Sequence, residues 1–497
     1  MRPDLTWQKV LSATAAVATT RDSNITDIFG PVLSARASIH LPSDANYTSC
    51  VTQRWSSHAA PPFIGTIRPA TVEDVQNTVK IAAAHNIPFL ATGGGHGVSI
   101  QMAALRDGIQ IDLAKFNSVH LDTKKRLLTV GGAAKFSDLI KPVDEAGAQF
   151  PLGSAYCVGV LGATLGAGVS ANQGYAGLLA DLLDEVQLVT AAGRLVTASR
   201  TQYADLFWAL RGAGANFGIV TSATFRLPET VNKGNVTNAN FLFPAADKAA
   251  QVYGYLASLD DNMSALLALN IGTFLDPGSK QLMLLVNANF AGPPDEAAPY
   301  LAALSDLQPL RSEVLNVRWP DVFATSYFGI PDTKACGRNQ HVNMRSVGAR
   351  RTDAAALVAF LGALDRFSRA HPGVFTAMMI HRFPNQKVRE VPDGDSVYPY
   401  RDLKMHIQLE SEYEDLSETQ AVEEFLRAAR RNLAAASGYA SPAVYVNFAH
   451  GDEGPAAWYG ERNLQRLRQL KRKWDPRGLF GFYNAVPTAG GTSDGDL

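Results

Sequence analysis

Residues 87–97, Ile87-Pro88-Phe89-Leu90-Ala91-Thr92-Gly93-Gly94-Gly95-His96-Gly97, run from an apolar stretch straight into a glycine loop. A short apolar run bounded by turn residues reads as a buried strand, and the glycines read as a tight loop at its end. Upstream, Thr66-Ile67-Arg68-Pro69 reads as a strand that stops at proline. Thr71 and Asp74 then open a helix through Val75, Val79, Ile81 and Ala82, which His85-Asn86 closes. The unit is therefore strand, helix, strand, glycine loop. Further strands are expected at 108–112, 126–130, 185–189 (with a turn at Ala192-Gly193) and 219–225, the last preceded by a second glycine loop over 212–218.

Between these strands lies a stretch without a charged residue, Ala146 to Ala180. Its length admits a membrane span of about 20 residues. Its content argues against one: Gly147, Gly153, Gly159, Gly162, Gly166, Gly168, Gly174 and Gly177, with Pro151, Gln149, Asn172 and Gln173, leave too weak a transfer energy. The expectation is buried glycine-rich backbone against an uncharged partner or a ligand, with no membrane. After Pro228 the texture changes. Residues 230–240 read as an Asn/Thr-rich linker, followed by strand-like runs (281–289, 404–410) and Ala-rich helices such as 353–367. The end of the chain reads as a strand over 444–448, a basic helix over 463–473 and a stop at Trp474-Asp475-Pro476.

With 497 residues the chain has material for two or three domains, and 45 Lys+Arg against 46 Asp+Glu leave no basic excess for nucleic acid. Cys50, Cys157 and Cys336 show no metal spacing and are read singly, so no metal is expected. Near the N-terminus, Val10–Ala18 has the length of a signal core but is diluted by Ser and Thr, which tilts the reading towards an intracellular chain. Sequons at Asn24, Asn46, Asn235 and Asn262 permit glycosylation.

Dispersed glycine loops suggest a nucleotide, yet no GxxxxGK phosphate loop exists. The dinucleotide fingerprint also fails, because Val98 and Phe217 stand where glycine is required. Three stretches taken together are specific: the strand into Thr92–Gly97, residues 151–168 (PLGSAYCVGVLGATLGAG) and residues 211–221 (RGAGANFGIVT). They resemble the FAD-binding half of the vanillyl-alcohol-oxidase (PCMH-type) flavoproteins. Residues 445–448 (YVNF) and 458–480 (WYGERNLQRLRQLKRKWDPRGLF) are similar to the closing segment of the berberine-bridge-enzyme-like branch.

The resemblance implies an α+β fold: a two-subdomain PCMH-type FAD-binding domain and a second α+β substrate domain on an antiparallel sheet. The implied division is a leader over 1–60, the FAD-binding domain over 61–230, the substrate domain over 231–442, a returning segment over 443–487 and a tail over 488–497. It implies FAD attached twice, through His96 to the 8α-methyl and through Cys157 to C6. Thr92, Gly93, Gly94, Gly95 and Gly97 would cradle the diphosphate, while Ser154, Gly159 and Gly162 would line the cofactor near Cys157. Gly177, Leu178, Ile219 and Val220 would edge the adenine and ribose, and Asn484 would touch the flavin ring.

For catalysis, alternation along Lys404–Glu410 places His406, Gln408 and Glu410 on one face. Glu410 or His406 is a candidate base and Gln408 an orienting amide. Tyr445 is a rival base, with Asn447 on the same face if the segment is a strand. Two departures from the family pattern stand out. Gly97-Val98 replaces the Ser-Tyr of many relatives, so a tyrosine near the flavin is missing, and the cysteine loop follows a variant associated with fungal secondary metabolism. The implied activity is an oxidase: a small organic substrate, a natural-product intermediate, gives a hydride to flavin N5, and O2 reoxidises the flavin with release of H2O2. The alternatives are a flavin dehydrogenase using another acceptor and a noncatalytic flavin-binding protein.

Overall fold

The computed structural model describes residues 24–330 and 333–488. The segment Val10–Ala18 and the chain after Thr488 lie outside the described residues.

The first sheet contains β1 (Ser38–His40), β2 (Gly65–Arg68), β3 (Phe89–Thr92) and β4 (Ile109–Asp112), in the order β1-β2-β4-β3. Strands β2 and β3 both run parallel to β4. The connecting helix, Val72–Ala84, starts as the sequence indicates: Thr71 Oγ1 accepts from the Asp74 N–H at 3.1 Å, and the Asp74 carboxylate accepts from the Thr71 N–H at 2.9 Å. It buries Val75, Val79 and Ala82 against Ile67, Phe89, Ile109 and Ile111, each valine stabilising by about 1.5–3 kcal/mol relative to exposure. The leader reading needs correction for its described part. Ser38–His40 pairs antiparallel with β2, and Ile25 and Phe29 are buried in this core. Local composition carries no sign of that long-range pairing.

A second sheet, wholly antiparallel, is formed by β5 (Val119–Asp122), β6 (Leu127–Gly131), β7 (Leu183–Val189), β8 (Leu195–Ser199) and β9 (Ile219–Arg226), ordered β5-β6-β9-β7-β8. The uncharged stretch packs here as the short helix Val160–Leu165 and glycine-bearing turns. Among the described residues no helix is long and apolar enough to cross a membrane.

Seven antiparallel strands make the third sheet: β10 (Asn235–Pro244), β11 (Leu267–Leu275), β12 (Leu282–Phe290), β13 (Arg311–Arg318), β14 (Val342–Ala349), β15 (Phe375–Arg382) and β16 (Met405–Glu412), ordered β13-β10-β12-β11-β15-β16-β14. Helices Ala245–Ser258, Ala354–Ala370 and Thr419–Ala436 cover one face through a core that includes Phe241, Leu269, Val286 and Ile407. Most of the supposed linker at 230–240 is therefore strand. Ala239, Phe241 and Phe243 point to that core, while the asparagines between them pair across the opposite face. Asn287 Nδ2 donates to Asn238 Oδ1 at 2.7 Å and to Asn240 Oδ1 at 2.9 Å. Buried amides are tolerated because they satisfy one another.

The strand expected at 444–448 is also corrected: Val446–Phe448 is a 3₁₀ turn. The segment still returns to the first half of the molecule, where Val444, Trp458, Leu464, Leu467 and Trp474 share a core with the second sheet.

Candidate flavin site

A cavity of about 360 Å³ lies where the two nucleotide-half sheets meet the polar face of the seven-stranded sheet. Glycine loops form one wall. Thr92, Gly93, Gly94, Gly95, His96 and Gly97 line it together with Ser154, Gly159, Gly162, Ile219 and Val220. Two loops meet backbone to backbone: a Cβ on Gly94 would stand 2.5 Å from the Gly159 nitrogen. Only glycine at 94 allows that approach.

His96 is half-buried, stacked 6.1 Å from the Trp55 ring, and its Nε2 is shut away from solvent with no hydrogen-bond partner. Burial, reinforced by the charges of Arg338, Lys135 and Arg54, lowers its pKa to about 3. The ring, which lines the cavity, is therefore a neutral imidazole, the form a nucleophile needs. Above the loop, Arg54 donates to the Gly97 carbonyl at 3.1 Å and Arg338 to the Gly94 carbonyl at 2.8 Å. Backbone N–H groups and two cations around one loop suit a diphosphate. An orphaned imidazole nitrogen, a close-packed glycine cradle and flanking guanidinium groups fit FAD.

The opposite wall includes Gln408, Glu410, Tyr445 and Asn447. The alternation read at 404–410 is observed, since Met405, Ile407 and Leu409 lie in the helix-covered core. His406 does not reach the cavity. It is buried against the rings of Tyr445, at 5.4 Å, and Phe448, at 6.0 Å, because the C-terminal turn covers the sheet there. Tyr445 and Asn447 meet through the turn instead of a strand face, with Asn447 Nδ2 donating to the phenol oxygen at 2.8 Å. The Gly168 and Val169 N–H groups also donate to that oxygen, at 3.1 and 3.4 Å. Burial outweighs these donors and pushes the phenol up to about 12.

Gln408 belongs to a relay. His381 Nδ1 lies 2.7 Å from Asn270 Oδ1, and its Nε2 lies 3.2 Å from Gln408 Oε1. Burial lowers His381 to about 4, so at neutral pH the ring has one N–H for two amide oxygens. One ring nitrogen donates and the other accepts, so one of the two amides presents its NH2 to the ring.

Four other expected residues lie outside the lining. Gly177 adopts φ +81° beside Asp181 and Lys387, and Leu178 packs with Val169 and Tyr398. Asn484 braces the C-terminal turn, donating to the Val446 carbonyl at 2.8 Å. Cys157 is bonded to Cys336, which corrects the reading of the cysteines as single, and a sulfur so bonded has no thiolate to offer a flavin. The sequence reading missed Arg54, Trp55, Met344 and Tyr483. Tyr483 packs where a Cβ on Gly97 would be 2.7 Å from its ring, so a phenol does stand beside the loop, supplied from the C-terminal segment. Among the described residues no group of His, Cys, Asp and Glu could hold a metal ion.

The buried histidines make a stability prediction. His381 and His406 are held at about 4 and about 3, both by burial first, against 6.5 in an unfolded chain. Between those values the unfolded chain binds protons that the folded one does not. The contribution is thus complete above pH 6.5 and is lost as pH falls towards 4, on the order of 3 kcal/mol for His381. Tm measured from pH 7 to pH 4 should fall, and His381→Gln should flatten the profile. Coincident profiles for the two proteins would contradict the assignment.

Comparison with known proteins agrees with this geometry. Residues 63–199 match the family model described as FAD binding domain, and residues 444–487 match that described as Berberine and berberine like. The FAD-linked oxidoreductase tazG of Aspergillus terreus is 44% identical over 94% of this chain and 95% of its own. The FAD-linked oxidoreductase azaL of Aspergillus niger is 41% identical over 90% and 95%. Among solved structures, Physcomitrella patens BBE-like 1 superposes with a TM-score of 0.81 at 20% identity, covering 94% of this chain and 99% of its own. A glucooligosaccharide oxidase from Acremonium strictum, described with a 6-S-cysteinyl, 8α-histidyl FAD, gives 0.78 at 21% identity over 94% and 99%. Fold and site define an FAD-linked oxidoreductase of PCMH type. The chain belongs to the berberine-bridge-enzyme-like family, beside FAD-linked oxidoreductases of fungi.

Proposed function

We propose that this chain is an oxidase that removes two electrons from a small organic molecule, a natural-product intermediate, and delivers them to O2 as H2O2. The observation carrying the reading is the shared cavity, lined by a neutral His96 from the glycine loop together with Gln408, Glu410 and Tyr445. The relatives' description as FAD-linked oxidoreductases supports the first part, and oxidases among the structural neighbours support the second.

When bound, FAD supplies a hydride acceptor that O2 can reoxidise. His96 holds that group, and the backbone of Thr92–Gly97, with Arg54 and Arg338, holds its diphosphate. The substrate's proton needs a base. Ionising Tyr445 from about 12 at neutral pH costs on the order of 7 kcal/mol, so Glu410 takes the proton. Tyr445 keeps its own, donated to Ala163 O at 3.4 Å, and the Gln408 amide orients a substrate hydroxyl or amine. The test is anaerobic mixing of the yellow protein with phenolic, alkaloid, polyketide and sugar compounds. Bleaching by at least one compound is expected, and a protein that no member of the panel bleaches would speak for a noncatalytic flavin binder.

A further inference from the structure

The cysteine pair has a consequence for cofactor attachment, and it rests on the FAD reading above. Cys157 and Cys336 are 179 residues apart and join the nucleotide half to the segment that leads into β14. On one side, residues 156–160 are zipped to 134–137: the Phe136 N–H donates to Val158 O at 3.1 Å, Ser137 to Tyr156 O at 2.8 Å, and Val160 to Ala134 O at 2.9 Å. This registry turns Ala155 and Val158 into the cavity lining and leaves Cys157 out of it. Turning the Cys157 sulfur towards the cavity first requires its bond to Cys336 to open. On the other side, Ala335 lines the cavity, and Arg338, Asn339 and Gln340 are bonded to the Gly94, Arg54 and Trp55 carbonyls at 2.8, 2.7 and 3.0 Å. Both cysteines are thus held from their neighbours.

We infer that FAD is held by one covalent bond, from His96, and that Cys157 is committed to an interdomain disulfide with Cys336 that ties the segment bearing Ala335 across the cavity. Forming the bridge removes two protons and two electrons from the two thiols, which an oxidised dithiol partner accepts. Forming the link replaces one imidazole N–H and one methyl C–H by a C–N bond, and the two protons and two electrons released reduce O2 to H2O2 by way of the flavin.

Peptide mapping of the unreduced holoenzyme tests this directly. Flavin is expected on the His96 peptide alone, with the Cys157 and Cys336 peptides recovered as a bonded pair that reduction separates. Acid-precipitated His96→Ala protein should be colourless, and Cys157→Ser protein should stay yellow. Flavin on the Cys157 peptide, or free thiols at both positions before reduction, overturns the inference. Complete release of flavin from denatured wild-type protein overturns the single link but leaves the FAD reading standing, whereas wild-type protein with no flavin of any kind overturns both.

Discussion

Glu410→Gln protein is expected to reduce its flavin 10²–10⁴ times more slowly than wild type while staying equally yellow, the loss typical of removing a positioned base. Glu410 lines the cavity from β16, on the face that alternation gives to Gln408 and away from the helix-covered core. Its rival carries a different burden. Three donors converge on the Tyr445 oxygen, yet burial still pushes the phenol up to about 12, so it is protonated throughout the working range. Tyr445→Phe removes the hydroxyl that ties Ala163, Gly168 and Val169 to the C-terminal turn through bonds worth about 1 kcal/mol net each, and should slow reduction about tenfold or less. His406→Ala should leave the rate unchanged, because that ring is sealed behind the C-terminal turn. The measurement is the anaerobic flavin-reduction rate with one confirmed substrate across pH 6 to 9. A large loss in Tyr445→Phe with none in Glu410→Gln would reverse the two roles.

The second large effect is expected at Gly94. A Cβ there meets the Gly159 nitrogen at 2.5 Å and its Cα at 2.8 Å, both backbone atoms that cannot rotate aside. Gly94→Ala must therefore push the two glycine loops apart. Overpacking of this kind costs about 1–3 kcal/mol, and the separation also dismantles the cradle from which His96 faces the cavity. The variant should be purified with little flavin and a lowered Tm. Gly254→Ala is the control, since a Cβ at that position, on the exposed side of helix Ala245–Ser258 and away from the cavity, meets nothing within 4 Å. Equal flavin content in the two variants would show that the close approach is not required.

What was legible in the sequence follows from the range of the interactions involved. The Thr71 cap and the helix after it are local, and their bounds were readable within a residue or two. Alternation at 404–410 was readable because the side-chain period of a strand is two, whichever strand lies beside it. The asparagines of β10 misled for the opposite reason. Their amides look like loop chemistry until Asn287, 47 residues from Asn240, is placed beside them. Cys157 and Cys336 carry no local sign of pairing at a separation of 179 residues. Tyr445 and Asn447 do meet, though not on a strand face: Tyr445 precedes the 3₁₀ turn in extended conformation, and the Asn447 amide reaches its hydroxyl from within the turn. Tyr483, Arg54 and Arg338 reach the glycine loop from distant parts of the chain, so no motif spacing points to them.

Oxidase chemistry is tested by a single turnover. Holoenzyme is bleached anaerobically with a substrate found in the panel, excess substrate is removed, and air is admitted while colour and H2O2 are followed together. Rapid return of the yellow colour with one H2O2 per flavin is the expected result. A flavin that bleaches but recovers only when a quinone or an electron-carrier protein is added would contradict the oxidase account.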